Sequence, residues 1–310
     1  MHFSKDKSNI AVCNLLCFKA RNRRYQYQPT KQMFFLTRSS SELFTQIPLY
    51  CILLIIMLQA PVCRAEAADG TYQAGIEQRG NFFSRVYDAQ YQSSFHIGTN
   101  RPSGSYMLRI HRGFRFDQHA YQWELESYPV LSDRFYAYAA YAYSDSEIFP
   151  LHRAGLELFS ALPWRLEGSL GLRYLDFEPG TETVMITPSL SHYFSAFMIT
   201  VRPFFIFSDG GSGQTWLGSF RWFFNDSGDY LLIRGAVGRS SDEMLFQVGQ
   251  ARVKDFLLLK SSQIGVEGRY YVTERISGLA GLTLYRQELS FDPGNYVSNW
   301  SVRAGFNLHW

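Results

Sequence analysis

The last segment of the chain alternates between apolar and polar positions. Between Trp300 and Trp310 every second residue is apolar. The intervening positions are Ser301, Arg303, Gly305, Asn307 and His309. Successive side chains of a β-strand point to opposite faces, so the pattern predicts a strand with one oily face and one polar face. Strands of about ten residues with this alternation are typical of transmembrane β-barrels.

Similar segments precede this one, and each ends at residues that favour turns. The predicted strands are 71–80, 88–99, 104–116, 119–129, 135–145, 152–161, 164–177, 182–194, 196–208, 214–224, 229–239, 261–272, 277–289 and 296–310. No long stretch has a period of 3.6 residues, so we predict no helix of consequence. The fold class is therefore all-β, an antiparallel transmembrane β-barrel of about 14 strands, with 12 as the alternative even number.

The lengths of the connections give the expected orientation. With the first strand starting on the periplasmic side, short junctions such as 131–133 and 273–275 are periplasmic. Longer junctions, such as 144–151, 178–182, 208–214 and 240–260, are then extracellular. Short periplasmic turns and long extracellular loops are the rule for outer-membrane barrels.

The charged residues fall on one face of the predicted strands, and we expect that face to line the lumen. The predicted lumen-lining residues, which are candidates for solute selectivity, are Arg109, His111, Arg115, Glu124, Glu126, Glu167, Arg173, Arg202, Arg221, Arg234, Glu267, Arg269 and Arg303. Folding the third and fourth strands about residues 117–118 places Arg109 opposite Glu126. It also places His111 opposite Glu124. Opposite charges across a strand pair stabilise by roughly 0.2–1 kcal/mol each.

Some residues conflict with the pattern. Arg112 breaks the alternation, which predicts a bulge or a position near the membrane interface. Pro188 and Pro203 lie inside adjacent predicted strands, where proline removes a ladder donor. We expect either bulges there or a different boundary for that hairpin.

Aromatic residues near the strand ends predict a girdle at the membrane interfaces. Its predicted members are Tyr128, Phe135, Tyr136, Trp164, Tyr193, Phe223, Phe224 and Tyr230. The soluble alternative is a two-layer β-sandwich or a lipocalin-like barrel. The number of predicted strands is larger than one small soluble barrel can hold with its aromatic faces inward. The membrane interpretation is therefore favoured.

The region before the first strand has the pattern of a secretory signal peptide. The apolar run from Ile47 to Ala60 is shorter than the roughly 20 residues of a spanning helix. Small residues follow it, with predicted cleavage at Ala65 or Ala67. The alternatives are an uncleaved membrane anchor and a lipoprotein, although the sequence before Cys63 is a poor lipobox.

Removal of this region changes the charge and the cysteine content. The predicted domains are an N-terminal extension with signal peptide over 1–65 and an outer-membrane barrel over 66–310. Of the 30 Lys+Arg and 27 Asp+Glu, nine basic and two acidic residues precede residue 66, so the barrel is net acidic and nucleic-acid binding is not expected. All 4 cysteines also lie there, which excludes disulfides and thiolate metal sites from the barrel. We predict no cofactor and no metal site.

Several short sequences resemble the YaiO-type outer-membrane β-barrels. They are Glu126-Ser-Tyr128-Pro129, Phe135-Tyr136-Ala137-Tyr138, Phe149-Pro150-Leu-His-Arg153-Ala-Gly155, Gly171-Leu-Arg173-Tyr-Leu-Asp176-Phe177, Val201-Arg202-Pro203 and Gly235-Ala-Val-Gly238-Arg239-Ser240-Ser241-Asp242-Glu243. The resemblance implies an integral outer-membrane location and the barrel fold. It implies no settled activity, and it suggests an association with surface glycan production.

The C-terminus resembles the signal with which outer-membrane barrels engage the assembly machinery. Gly305, Leu308 and Trp310 carry that resemblance, and Ala304 departs from it where a polar residue is usual. The partners expected from these features are outer-membrane lipid and lipopolysaccharide, the barrel-assembly machinery and surface polysaccharide.

Three functions are open at this stage. The first is a porin-like channel or export conduit for polar solutes or surface glycan, and the second is a scaffold with a plugged lumen, using the 240–260 loop as a contact surface. The third is an enzyme acting on lipid or glycan, which we do not expect. Barrel lipases and deacylases resemble one another in a His-x-Ser arrangement, and no histidine after residue 65 has serine two positions later.

Overall fold

A computed structural model describes residues 70–84, 87–146, 148–178, 181–209, 211–224, 228–241, 244–248, 251–255, 258–289 and 292–310. The predicted N-terminal extension, the signal peptide and the cleavage positions Ala65 and Ala67 lie outside the described residues. The domain boundary at residue 65 therefore stays a prediction.

Fourteen strands form one closed antiparallel barrel, in which β16 pairs with β1. The described residues form sixteen strands, of which all but β12 and β13 belong to the barrel: β1 (Thr71–Phe83), β2 (Gln90–Arg101), β3 (Gly104–Arg115), β4 (Gln118–Pro129), β5 (Phe135–Tyr143), β6 (His152–Leu162), β7 (Leu166–Glu178), β8 (Thr181–Phe194), β9 (Phe197–Ser208), β10 (Gly211–Phe223), β11 (Tyr230–Ser241), β12 (Met244–Val248), β13 (Ala251–Asp255), β14 (Leu258–Thr273), β15 (Ile276–Leu289) and β16 (Asp292–His309). The predicted fold class and the count of 14 are confirmed. In the described residues, no helix has the length and apolarity to cross a membrane.

The connection between β11 and β14 holds a hairpin that the sequence pattern did not predict. Strands β12 and β13 pair with each other as a separate two-stranded sheet. The end of the predicted 240–260 loop belongs to the barrel instead, because β14 begins at Leu258. Asp242 and Glu243 lie outside the described residues. β7 ends one residue later than predicted, and β8 and β10 begin earlier, so the junctions expected at 178–182 and 208–214 shrink to two residues each.

The exposure of β4 shows why the alternation marks two faces. Tyr121, Trp123 and Leu125 are all more than half exposed, whereas Glu124 and Glu126 are buried. β4 thus turns its large apolar side chains outward and its carboxylates inward, and large apolar side chains are exposed on the other barrel strands too. A soluble monomer rarely exposes an apolar surface of this extent, but the lipid face of a membrane barrel requires it.

The β3–β4 hairpin has a different register from the predicted one. Its two-residue turn is at 116–117, where both residues have positive φ, as in the type I′ turns that suit hairpins. The turn lies one residue earlier than predicted, so Arg109 pairs with Glu124 rather than Glu126. The predicted contacts nevertheless form diagonally. Arg109 Nη2 lies 3.0 Å from Glu126, and His111 Nε2 lies 2.8 Å from Glu124.

The two prolines face each other across one gap in the barrel ladder. Pairing between β8 and β9 stops at Ile186 and resumes at Leu190 in the same register, which puts Pro188 opposite Pro203. No bulge is present there, and the hairpin boundary agrees with the prediction. Because each proline lacks an N–H, placing them opposite confines both missing donors to a single interruption.

Arg112 also shows no bulge. It pairs with Tyr121 in an uninterrupted register, and its Nη2 lies 3.4 Å from Nδ1 of His119 near the hairpin turn. The bulge is therefore rejected as the explanation of its broken alternation. Its position relative to the membrane interface stays a prediction.

Three of the predicted girdle residues lie on the outer face of the barrel, where a girdle stays a prediction, and the other five do not. Phe135, Trp164 and Phe224 are exposed on the outside. The predicted girdle residues that point into the barrel instead are Tyr128, Tyr136, Tyr193, Phe223 and Tyr230. Adjacent aromatic residues of a strand occupy opposite faces, so one member of each neighbouring pair has to face the interior.

Candidate functional site: the charged belt of the lumen

Charged side chains meet inside the barrel, in the middle part of their strands. We call this set the charged belt, and its members are Glu77, Arg79, Arg109, His111, Glu124, Glu126, Arg153, Glu157, Arg173, Arg202, Glu267 and Arg303. The predicted lumen residues Arg109, His111, Glu124, Glu126, Arg173, Arg202, Glu267 and Arg303 are among them. The sequence prediction missed Glu77, Arg79, Arg153 and Glu157, although the same alternation on β1 and β6 assigns them to the inner face.

One part of the belt centres on Glu124. His111 Nε2 lies 2.8 Å from its carboxylate, and Arg153 binds its other oxygen. Ser94 Oγ lies 2.7 Å from His111 Nδ1, so both ring nitrogens have partners. Arg153 belongs to β6 and reaches Glu124 of β4 over Ala142 of β5, which is directly paired with both. A larger residue at that crossing would block the ion pair.

A second part of the belt centres on Arg303. Its Nη1 donates to Glu267 at 2.8 Å and its Nη2 donates to Glu77 at 2.5 Å. Gly281 of β15 lies between Arg303 of β16 and Glu267 of β14 in direct register with both. Arg79 approaches Glu77 at 3.7 Å. Here too, an ion pair crosses an intervening strand where that strand has no bulky side chain.

The third part of the belt joins Glu157 to two arginines. Arg202 donates to both carboxylate oxygens, at 3.0 and 2.7 Å. Arg173 is more distant, at 3.5 Å. A Cβ on Gly171 would lie 3.1 Å from Glu157 Cγ, so the glycine leaves the space that the glutamate occupies.

Arg221 and Arg269 lie towards the end of the barrel where β1 begins and β16 ends. They enclose the ring of Tyr230, at 4.8 and 5.1 Å from its centroid, in cation–π contacts. The hydroxyl of Tyr230 donates to Glu267 at 3.0 Å and so connects this stack to the belt.

The remaining predicted lumen residues also lie on inward positions. Glu167 accepts a hydrogen bond from Tyr193 at 3.4 Å. Arg115 lines a cavity described below, and Arg234 is half-buried on β11. The predicted lumen residues thus form the belt, the arginine–tyrosine stack and a few neighbouring positions. Their role in selectivity stays a prediction.

The interior also has an apolar wall, which the sequence prediction did not include. A buried cluster on the inner faces of β7 to β11 consists of Leu175, Phe177, Met185, Phe204, Ile206, Leu217 and Ala236. Towards the end of β9, apolar residues occupy both faces of the strand. Alternation therefore does not distinguish the inner face from the outer face there. The lumen is therefore amphipathic, and β7 and β9 carry both a belt arginine and members of this cluster.

The 144–151 connection folds back into the barrel, although its length predicted an outward loop. Ile148 and Phe149 are buried and pack against Ala120. A Cβ on Gly113 would lie 2.8 Å from Phe149 Cζ, so the phenyl ring occupies the space above a glycine. Ser144 Oγ donates to the carbonyl of Tyr121 at 2.6 Å and fixes the base of the loop.

Charged residues of the belt help to line two cavities inside the lumen. The larger has a volume of about 120 Å³ and is lined by the inward loop, the belt and part of the apolar wall. The smaller, of about 50 Å³, is lined by residues that include Glu157, Arg202 and Arg221. A single water molecule occupies about 10–15 Å³ when cavity volumes are measured in this way, so each cavity has room for several water molecules.

The predicted assembly signal lies at the closing seam of the barrel. Trp310 and Tyr72 exchange backbone hydrogen bonds of 2.7 and 3.0 Å, and their rings stack at 6.2 Å. Gly305 is buried, and a Cβ there would lie 2.8 Å from the carbonyl oxygen of Ile76. Leu308 pairs with Ala74. Recognition of these residues by the assembly machinery stays a prediction.

The sequence matches the YaiO membrane β-barrel domain over residues 72–243. The chain belongs to this family. Together with the closed barrel and its apolar exterior, the match makes the protein an integral barrel of the outer membrane. The predicted family and location are confirmed. A comparison with curated proteins finds no match.

Solved structures of outer-membrane proteins resemble this chain at low sequence identity. The anion-selective porin from Comamonas acidovorans is 11% identical with a TM-score of 0.43, and the match covers 78% of this chain and 99% of that one. A bacterial polysaccharide outer membrane secretin is 9% identical with a TM-score of 0.48, covering 78% and 98%. Omp33 of Acinetobacter baumannii is 12% identical with a TM-score of 0.45, covering 77% and 99%.

Proposed function

We propose that this YaiO-family barrel is a conduit for polar, negatively charged solutes, including segments of surface glycan. The observation that carries the proposal is the excess of arginine over carboxylate on the inner wall. The inward arginines are Arg79, Arg109, Arg115, Arg153, Arg173, Arg202, Arg221, Arg234, Arg269 and Arg303. The inward carboxylates are Glu77, Glu124, Glu126, Glu157, Glu167 and Glu267. A lining of this sign attracts anions and repels cations.

The chemistry of the belt suits the exchange of one anion for another. An arginine fork binds a carboxylate through two parallel hydrogen bonds, as Arg202 binds Glu157. A solute carboxylate can accept the same two hydrogen bonds from the fork, and Glu157 then keeps its contacts with Ser169 and Arg173. Passage then proceeds from arginine to arginine along the wall.

The test is the reversal potential of the full chain, purified from outer membranes and placed in a planar bilayer under a potassium chloride gradient. We expect a potential of the sign for chloride permeation. Arg202→Gln and Arg303→Gln should each reduce the anion preference severalfold. The matched control is Arg101→Gln, because Arg101 is an exposed arginine at the end of β2. Cation preference, or equal effects of all three substitutions, would contradict the proposal.

A scaffold with a plugged lumen is the second candidate. It is favoured by the mutual pairing of the belt charges and by the inward position of Phe149. A silent bilayer with folded protein would support this function over the conduit. In that case, the hairpin of β12 and β13 would be the surface to delete in pull-down experiments.

A further inference from the structure

The larger lumen cavity has two chemically different walls. Leu175, Phe177 and Met185 supply an apolar wall, and Phe149 adds to it from the inward loop. Arginines also line this cavity, and they are Arg79, Arg109, Arg115, Arg153, Arg173 and Arg303. A cavity that held water alone would need no apolar wall, so the combination points to an organic ligand.

The arginines of this cavity differ in how well they are paired. Arg153 and Arg303 hydrogen-bond directly to carboxylates. Arg173 comes no closer than 3.5 Å to Glu157, and its buried Nη2 has no hydrogen-bond partner among the described residues. A buried guanidinium donor without an acceptor is unfavourable, and an anionic oxygen in the cavity would satisfy it.

The position of Arg173 connects the two walls. It precedes Leu175 and Phe177 on the same face of β7, so arginine, leucine and phenylalanine follow one another at alternate positions along one strand. An anionic group bound at Arg173 would have its organic body against these apolar side chains. Phe149, held above Gly113, lines the same cavity from the loop.

We propose that this cavity is a binding site for a small organic carboxylate with a compact ring as its body. The carboxylate accepts hydrogen bonds from Arg173, and Arg79 supplies further positive charge. The ring packs against Leu175, Phe177 and Phe149. The inference names the class of solute for the proposed conduit, but binding is measured without conduction, so either proposal can fail while the other stands.

Isothermal titration calorimetry of the full chain in detergent tests the site with four probes. Benzoate and glucuronate carry the carboxylate on an aromatic ring and on a sugar ring, and benzyl alcohol and glucose are their neutral counterparts. We expect saturable binding of at least one acid, with at least tenfold weaker binding of its neutral counterpart. Binding of benzoate alone assigns the aromatic acids, and binding of glucuronate alone assigns the sugar acids.

Two variants locate the binding. Arg173→Gln should weaken the acid at least tenfold, whereas the Arg101→Gln control should leave it unchanged. Phe149→Ala is a loop substitution outside the barrel wall, so it keeps the test decisive if the Arg173 variant fails to fold, and it should weaken binding severalfold. Absence of saturable binding by either acid overturns the proposal. Equal binding of the neutral probes, or unchanged binding in the folded variants, also overturns it.

Discussion

Arg202 binds both carboxylate oxygens of Glu157 although β7 and β8 lie between their strands. The crossing is possible because the intervening inward positions are small. Gly171 is directly paired with Glu157, and Ser189 Oγ lies 3.4 Å from Arg202 Nη2. The ion pair thus depends on residues that carry no charge. The same relationship recurs where Ala142 and Gly281 separate other charged pairs of the belt.

Substituting one member of this ion pair should destabilise the barrel more than substituting both members together. Arg202→Gln leaves Glu157 buried with the more distant Arg173, and loss of one partner of a buried pair typically costs about 3–5 kcal/mol. The double variant Glu157→Gln/Arg202→Gln buries no unpaired carboxylate, so it should be more stable than Arg202→Gln alone. Urea unfolding of the purified barrel measures the two single variants, Arg202→Gln and Glu157→Gln, and the double variant. Additive losses in the double variant would contradict the coupling, and Arg101→Gln is the control for loss of an arginine.

A bulky residue on the strand between two ion-paired residues should also destabilise the barrel. Ala142 is 1% exposed beneath the contact of Arg153 with Glu124. Ala142→Leu should displace Arg153 and destabilise the barrel by about 1–3 kcal/mol through overpacking. Ala139→Leu is the matched control, since Ala139 lies on the opposite face of β5. Equal unfolding midpoints for both variants would exclude a special role for the crossing.

Much of the fold could be predicted from alternation, because a barrel wall must present apolar residues to lipid on every strand. The ion pairs that cross an intervening strand could not be predicted, because the contact of Arg202 with Glu157 depends on small residues of two other strands. The β3–β4 register was wrong by two residues because its turn lies one residue earlier. The inward fold of the 144–151 loop left no periodic signal. The sequence feature that accompanies this fold is the pair of small inward residues, Gly113 and Ala120.

The closing seam should depend on the last residue. Trp310 stacks on Tyr72, and an aromatic pair contributes about 0.5–1.5 kcal/mol beyond its buried area. Trp310→Ala should therefore lower the stability of the purified barrel by about that amount and reduce the folded fraction in outer membranes. Heat-modifiable migration on gels measures that fraction. Trp300→Ala, on the outer face of the same strand, is the control. A similar loss in both variants would assign the effect to lipid contact instead.

Gly113 should control the position of the inward loop. Phe149 occupies the space where a side chain at Gly113 would stand, 2.8 Å from the Cβ position, so Gly113→Leu should expel the ring from the lumen. The larger cavity would then lose part of its apolar wall, and we expect higher single-channel conductance in the planar bilayer. Gly218→Leu is the matched control, because a Cβ there meets no atom within 4 Å. Unchanged conductance in a folded Gly113→Leu barrel would show that the loop does not limit passage, and the belt would then be the narrowest part of the lumen.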